Sequence, residues 1–303
     1  MMNFTQKIKL LIILSLGFSQ AVFAEFMANP GTCNTANASL TTVASIAPPG
    51  TNLLTTSYDA TSCVGVYPGN DDAHGWSSPD VNIGQAGDGL LNGEGIFNGE
   101  EFVDPSDFQI LDTDGLRNDP GWIHLAHFDA ENNAAGNVSY STVGPAPLNG
   151  TGLTLQVSDL LTFSLSCTGS GESLTDCSAI NWLLTTKLDI ISDVQELLGP
   201  STFDHLAFSV KAGNQNSGGG FAVYDFNFKT IFAAENNPLL NFNTPYQLGG
   251  TLNTADLGDK GISHLNVWAR DPVDSSVRVP EPSTLLLFAL AMLFVSYVRV
   301  KAL

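Results

Sequence analysis

The sequence predicts a mainly β protein: an antiparallel β-sandwich or jelly-roll-like body with one short helix, set between an N-terminal signal peptide and a C-terminal transmembrane helix. Three observations predict it. Short runs of β-branched, aromatic and leucine residues recur between clusters of Gly, Pro, Asn and Asp. Only one segment carries the start and stop signals of a helix, so strands are not interleaved with the long helices of a parallel α/β fold. The four cysteines, an even number, all lie in the part of the chain that the N-terminus marks for export.

That N-terminus reads MMNFTQKIKLLIILSLGFSQAVFA. Lys7 and Lys9 precede an apolar stretch from Leu10 to Phe18, and Val22 and Ala24 occupy the −3 and −1 positions of a cleavage site. This is the layout of a secretory signal peptide (1–24), too short in its apolar part for a lasting span. It predicts the Sec export machinery and signal peptidase as partners, with the cut between Ala24 and Glu25. The body then runs over 25–270, a linker over 271–279 and the tail over 280–303. Between residues 25 and 278, seven Lys and Arg face 29 Asp and Glu, a net charge of −22. Such a surface repels phosphate backbones and excludes nucleic acid as a partner.

Within the body, LTTVASI (40–46) and SCVGVY (62–67) are the first strand candidates. Residues 84–121, dense in Gly, Asn and Asp, read as loops around one or two short strands. The strand signals then sharpen in WIHLAHF (122–128), LTLQV (153–157), LLTFSLS (160–166) and AINWLLTT (179–186). They continue in HLAFSVK (205–211), FAVYDFNF (221–228) and SHLNVWAR (263–270). Leu206, Phe208 and Val210 fall on one face of their strand, as do Leu265, Val267 and Ala269. SDVQELLG (192–199) reads as the helix, with Ser192 as N-cap and Gly199 as stop. GNQNSGGG (213–220) reads as a hairpin connection. Cys33, Cys63, Cys167 and Cys177 admit three pairings. The economical one joins sequence neighbours, each loop then contributing on the order of 3 kcal/mol through the unfolded chain. A zinc site lacks the Cys-x-x-Cys and histidine spacing it needs.

Catalytic and metal-binding patterns are sparse. In LDTDGLRNDPGW, Asp112, Asp114 and Gly115 resemble part of an EF-hand loop, but Ile110 and Gly121 stand at its first and twelfth positions and break it. A calcium site of another geometry stays open, with Asp112 and Asp114 as candidate ligands among Asn70, Asp71, Asp72, Asp88 and Asp119. No other cofactor is expected. His124 and His127 point to opposite faces of a regular strand, which favours ordinary strand histidines over a metal pair. Glu94, Glu100 and Glu101 supply carboxylates for glycoside hydrolysis, yet nothing sets the separation that chemistry needs. Trp76, Trp122, Trp182 and Trp268 suit a sugar-stacking platform or a core equally. No G-x-S-x-G, H-E-x-x-H, phosphate-loop or dinucleotide pattern occurs. The expectation is therefore a protein that is not an enzyme, with a secreted hydrolase acting on matrix polysaccharide as the alternative.

The chain ends VPEPSTLLLFALAMLFVSYVRVKAL. Leu285 to Val298 is apolar except for Ser296 and Tyr297, and as a helix would be about 21 Å long against about 30 Å of hydrocarbon. Arg299 and Lys301 would hold its end in the cytoplasm. Val279-Pro280-Glu281-Pro282-Ser283-Thr284, an apolar segment and basic end residues together resemble the PEP-CTERM sorting signal of Gram-negative bacteria. The basic end is thinner than the arginine cluster usual in that family. The resemblance implies transient inner-membrane insertion and processing by an exosortase, with Pro280, Glu281 and Pro282 as recognition residues. It also implies delivery to the cell surface or to an exopolysaccharide matrix, and a β-rich ectodomain of no assigned activity.

Overall fold

The computed structural model describes residues 31–46, 49–71, 82–130, 138–144, 154–169, 174–199, 202–213 and 219–270. The chain divides into two compact units, Met1–Pro272 and Val273–Leu303, and every described residue belongs to the first. The signal peptide with Ala24 and Glu25, Asp72, Trp76, the linker, the 285–298 segment and Pro280, Glu281 and Pro282 lie outside the described residues.

Two antiparallel sheets face each other. The first orders β2 (Pro49–Asn52), β1 (Ala38–Ile46), β13 (Tyr246–Asn253), β10 (Ala179–Thr186) and β9 (Leu161–Cys167), with β3 (Tyr58–Asp59) also on β1. The second orders β4 (Ser62–Pro68), β12 (Gly220–Asn227), β11 (His205–Ala212), β14 (Ile262–Arg270), β5 (Trp122–Asp129) and β6 (Val138–Tyr140). A two-stranded ribbon pairs β7 (Thr142–Val143) with β8 (Leu155–Gln156). The inner faces meet through aromatic rings: Trp182 of the first sheet lies 4.8 Å from Phe208 and 6.1 Å from Phe226 of the second. The predicted stripes Leu206–Phe208–Val210 and Leu265–Val267–Ala269 both enter this core. The fold is thus the predicted antiparallel sandwich.

The two sheets differ in their outer faces. Along β10 buried and open positions alternate, as a sheet with one wet face requires. All of β11 and nearly all of β12 are buried on both faces. The cover over the second sheet is the Gly- and Asp-rich segment 82–121. Leu90, Leu91, Phe97, Val103 and Phe108 pack from it onto Trp122, Ala207, Phe221, Val223 and Trp268. The predicted strands within this segment are absent, since only isolated bridges form there, Gln109 with Asp119 and Asn82 with Gly144. The segment contributes a third layer made of loops and two single 3-10 turns, Leu90–Asn92 and Pro105–Asp107.

Two elements escape a sequence reading. β13 (YQLGGTLN) is central in the first sheet, although Gly249 and Gly250 weaken its strand signal. Gly250 is required by contact: a Cβ there would sit 1.8 Å from Ser39 O and 2.8 Å from Trp182 Cε2. The second surprise is helix. The predicted helix is α2 (Ile190–Leu198), starting three residues earlier than expected because Asp189, not Ser192, stands at its N-cap. Two more α-helices are present among the described residues, α1 (Val157–Leu160) in place of the end of the LTLQV strand, and α3 (Phe228–Glu235). α3 starts where Asn227 Oδ1 accepts the Thr230 N–H and ends at Asn236 in the left-handed region, while Phe228 and Ile231 enter the core.

The disulfides are Cys33–Cys63 and Cys167–Cys177, with Cα separations of 6.1 and 5.8 Å. The first ties the segment leading into β1 to β4 of the other sheet. The second closes the β9–β10 hairpin. Replacing Cys33 and Cys63 together by Ser is expected to cost about 3 kcal/mol, read as a lower urea midpoint with a slope steeper than that of wild type, since the uncrosslinked unfolded chain exposes more surface. Gly250→Ala is expected to cost about 3 kcal/mol or more, because neither Ser39 O nor the indole can withdraw without breaking the β1–β13–β10 pairing. A thermal melt within a degree of wild type would refute that close approach.

Candidate functional site

A sheet buried on both faces must pair its polar residues internally. Two networks do so beneath the loop layer. At one end, Arg270, 2% exposed, reaches three chain segments. Its Nε donates to Pro120 O at 2.9 Å, its Nη2 to Asp107 O at 2.8 Å, and its Nη1 to Asp204 at 3.2 Å. Asp204 also takes Lys229 Nζ at 2.7 Å. Beside them His205 Nδ1 lies 3.0 Å from both Asp225 oxygens. Burial, partly offset by the hydrogen bond and charge of His205, pushes the Asp225 carboxyl above its usual range. Arg270 therefore fastens the cover to the sheet at two backbone carbonyls.

The second network centres on Asp71, which is buried at the other end of the same face. Ser209 Oγ and His264 Nε2 each hydrogen-bond to its carboxylate, and Asn266 Nδ2 donates to it at 3.1 Å. Burial pushes the Asp71 carboxyl up, but the hydrogen bond and charge of His264, then the Ser209 and Asn266 bonds, hold it below its usual range. A carboxylate only accepts, so Asn266 presents its NH₂ to Asp71 and turns its Oδ1 to the histidines. That oxygen lies 3.1 Å from His124 Nε2 and 2.8 Å from His127 Nδ1, so both imidazoles donate to it. His124 Nδ1 is then the acceptor for Ser141 Oγ at 2.5 Å. Burial holds the His124 pKa down to about 3, so the ring is neutral in the folded protein.

This arrangement corrects the reading of the two histidines. A regular strand would turn His124 and His127 to opposite faces. In β5 the register slips, Ala126 pairing with Val267 and His124 with Trp268, so Leu125 is an extra residue. Leu125 and Ala126 both enter the core between the sheets, and His124 and His127 come to the same outer face. The bulge carries no composition signal in WIHLAHFD, and it builds the site.

The other candidates are dispersed. Asp112 Oδ1 accepts the Asp114 N–H at 2.8 Å and Asp114 Oδ1 the Leu116 N–H at 2.6 Å, so each closes its own turn. Asp119 is buried and accepts from Ala86 N and Leu111 N. Among the described residues no three His, Cys, Asp or Glu side chains converge as metal ligands. Glu101 accepts from Asn98 N and Gly99 N, both at 3.1 Å, capping a turn instead of facing a second carboxylate. Trp122, Trp182 and Trp268 are each 1% exposed, which places them in cores and not on a stacking platform.

The fold and these networks define a disulfide-bonded β-sandwich with a covered second sheet and buried polar networks as its most site-like features. Residues 278–301 match the family model described as the PEP-CTERM protein-sorting motif. The chain therefore carries that motif, which implies an exported protein with a membrane-anchored precursor, sorted by an exosortase. No curated protein and no solved structure matches the chain. No described helix is long and apolar enough to cross a membrane.

The Asp71–His124 network predicts acid sensitivity. The folded pKa of His124 is about 3 and the unfolded value about 6.5, so the unfolded chain takes up that proton first as pH falls. The stability it contributes is full above about pH 6.5 and declines by about 1.4 kcal/mol per unit towards pH 3. Asp71, with its pKa held down, adds a loss in the same direction below about pH 4. Urea midpoints between pH 7 and 4 should fall steeply for wild type and less steeply for His124→Gln; equal slopes would remove His124 as the cause.

Proposed function

We propose that the chain is an exported, non-enzymatic surface or extracellular-matrix protein. An exosortase cuts it at the tail, and its body serves as a structural or binding module associated with exopolysaccharide. The observation that carries this reading is the sorting motif at 278–301 behind a disulfide-bonded β body. Pro280 and Pro282 favour extended backbone, and Glu281 between them offers one charged group to a reader at the membrane surface. The tail segment spans the inner membrane only until that cut.

The wiring around Ser209 supports a non-enzymatic body. Its hydroxyl donates to Asp71, and His264 occupies the other carboxylate oxygen, so no described imidazole accepts the serine proton as a nucleophile requires. The dispersed glutamates and buried tryptophans leave the hydrolase alternative without a favouring observation.

Intact-mass measurement in cells that possess an exosortase tests the proposal. Wild type should begin at Glu25 and lack the apolar segment and basic end, whereas Glu281→Ala should retain them and stay with the membrane fraction. If both proteins keep residues 283–303, the sorting reading is overturned.

A further inference from the structure

Between the sheets, where α2 and α3 pack, the core leaves space. Two adjoining cavities of about 100 and 130 Å³ share the walls Thr186, Ile190, Val194, Phe203, Phe228 and Leu248. The first continues inward to Leu125 and Val143 and is walled almost wholly by apolar side chains. The second is bordered by Phe232 and Phe242, half-buried rings 5.3 Å apart, and by the polar groups of Thr202, Asn241 and Thr244. Leu188 and Leu239, each 63% exposed, stand two residues before the wall residues Ile190 and Asn241. No Lys or Arg is among the described residues that line either cavity.

The inner walls offer water few of the two to four polar partners it needs, so an apolar guest suits them better than water does. Such a guest restores contacts that the walls otherwise lack. We propose that the two cavities form one binding channel for a slim aliphatic molecule with an uncharged polar head. The chain, on the order of six to ten carbons by comparison with cavities that hold benzene, lies along Val194, Leu248 and Leu125. The head, a hydroxyl, carbonyl or ester, meets Thr202, Asn241 and Thr244. Two cavities in succession suit a chain better than a compact ring. A carboxylate or phosphate head would find no Lys or Arg in the lining, and the one lining histidine, His205, already faces Asp204 and Asp225, within a protein of net charge −19. This inference does not rest on the sorting reading, since every residue in it lies in the body.

The test uses the full chain in lipid nanodiscs and a diazirine-bearing 1-octanol, with cross-linked peptides mapped by mass spectrometry. Expected are saturable labelling on the segments carrying Val194, Phe203 and Leu248, and competition by 1-decanol but not by decanoate. Val194→Phe, which fills the channel from α2, should lower labelling about tenfold while leaving the melting temperature equal or higher; Leu248→Phe does the same from β13 if Val194→Phe misfolds. Non-saturable labelling in wild type, or labelling unchanged in a folded filled variant, would show a packing void only and overturn the proposal. Equal competition by decanoate would overturn the uncharged head.

Discussion

The second sheet is buried on both faces, and most of the molecule's detail follows from that constraint. Its inner face meets the first sheet through Phe208, Phe226 and Trp182, an ordinary sandwich core. Its outer face carries His205, Ser209, Lys211, Asp225, Asn266 and Arg270, all nearly inaccessible to solvent. Water cannot satisfy these groups, so the protein must. Arg270 meets two backbone carbonyls of the covering segment as well as Asp204. Lys211 Nζ donates to Gly213 O at 3.1 Å and Ala212 O at 3.3 Å, and burial lowers its pKa. The cover is therefore held by two means: an apolar patch built on Leu91, Phe97 and Trp268, and directional bonds at its margins.

One extra residue decides where the polar groups converge. The bulge at Leu125 brings two histidines to the same face and sends two apolar neighbours to the other. Asn266, directly across from His127, then serves both imidazoles with one oxygen while its amide reaches Asp71. Every donor in the chain from Ser141 to Asp71 is oriented by the carboxylate at its end. A buried network ordered in this way is suited to holding one packing arrangement, with neutral His124 as the element that acid disturbs.

Address and body occupy different stretches of the sequence. The sorting motif occupies residues 278–301, beyond the last described strand, which ends at Arg270. That same arginine anchors the cover, so the strand nearest the tail is also among the most firmly held. Two disulfides add restraint at the β1–β4 side and at the β9–β10 hairpin. A cross-linked, acidic body suits an exported protein.

The sequence by itself determined the β class, nine strand positions, the predicted helix to within three residues and the sorting motif. These are local signals: alternation of apolar residues, turn residues, caps and a short motif, none of which needs a distant partner to be recognised. Cysteine spacing left three pairings open, and only the folded chain decided on Cys33–Cys63 and Cys167–Cys177. Tertiary structure alone decided that the loops of 82–121 form a layer, that β13 is central despite Gly249 and Gly250, and that Phe228–Glu235 is helix. It also decided the site. Asp71, Ser209 and Asn266 are ordinary residues along the chain, 138 and 195 positions separate Asp71 from the other two, and a one-residue bulge sets the facing of His124. Contacts over such separations depend on how the sheets register and what covers them, and neither is written in any local pattern.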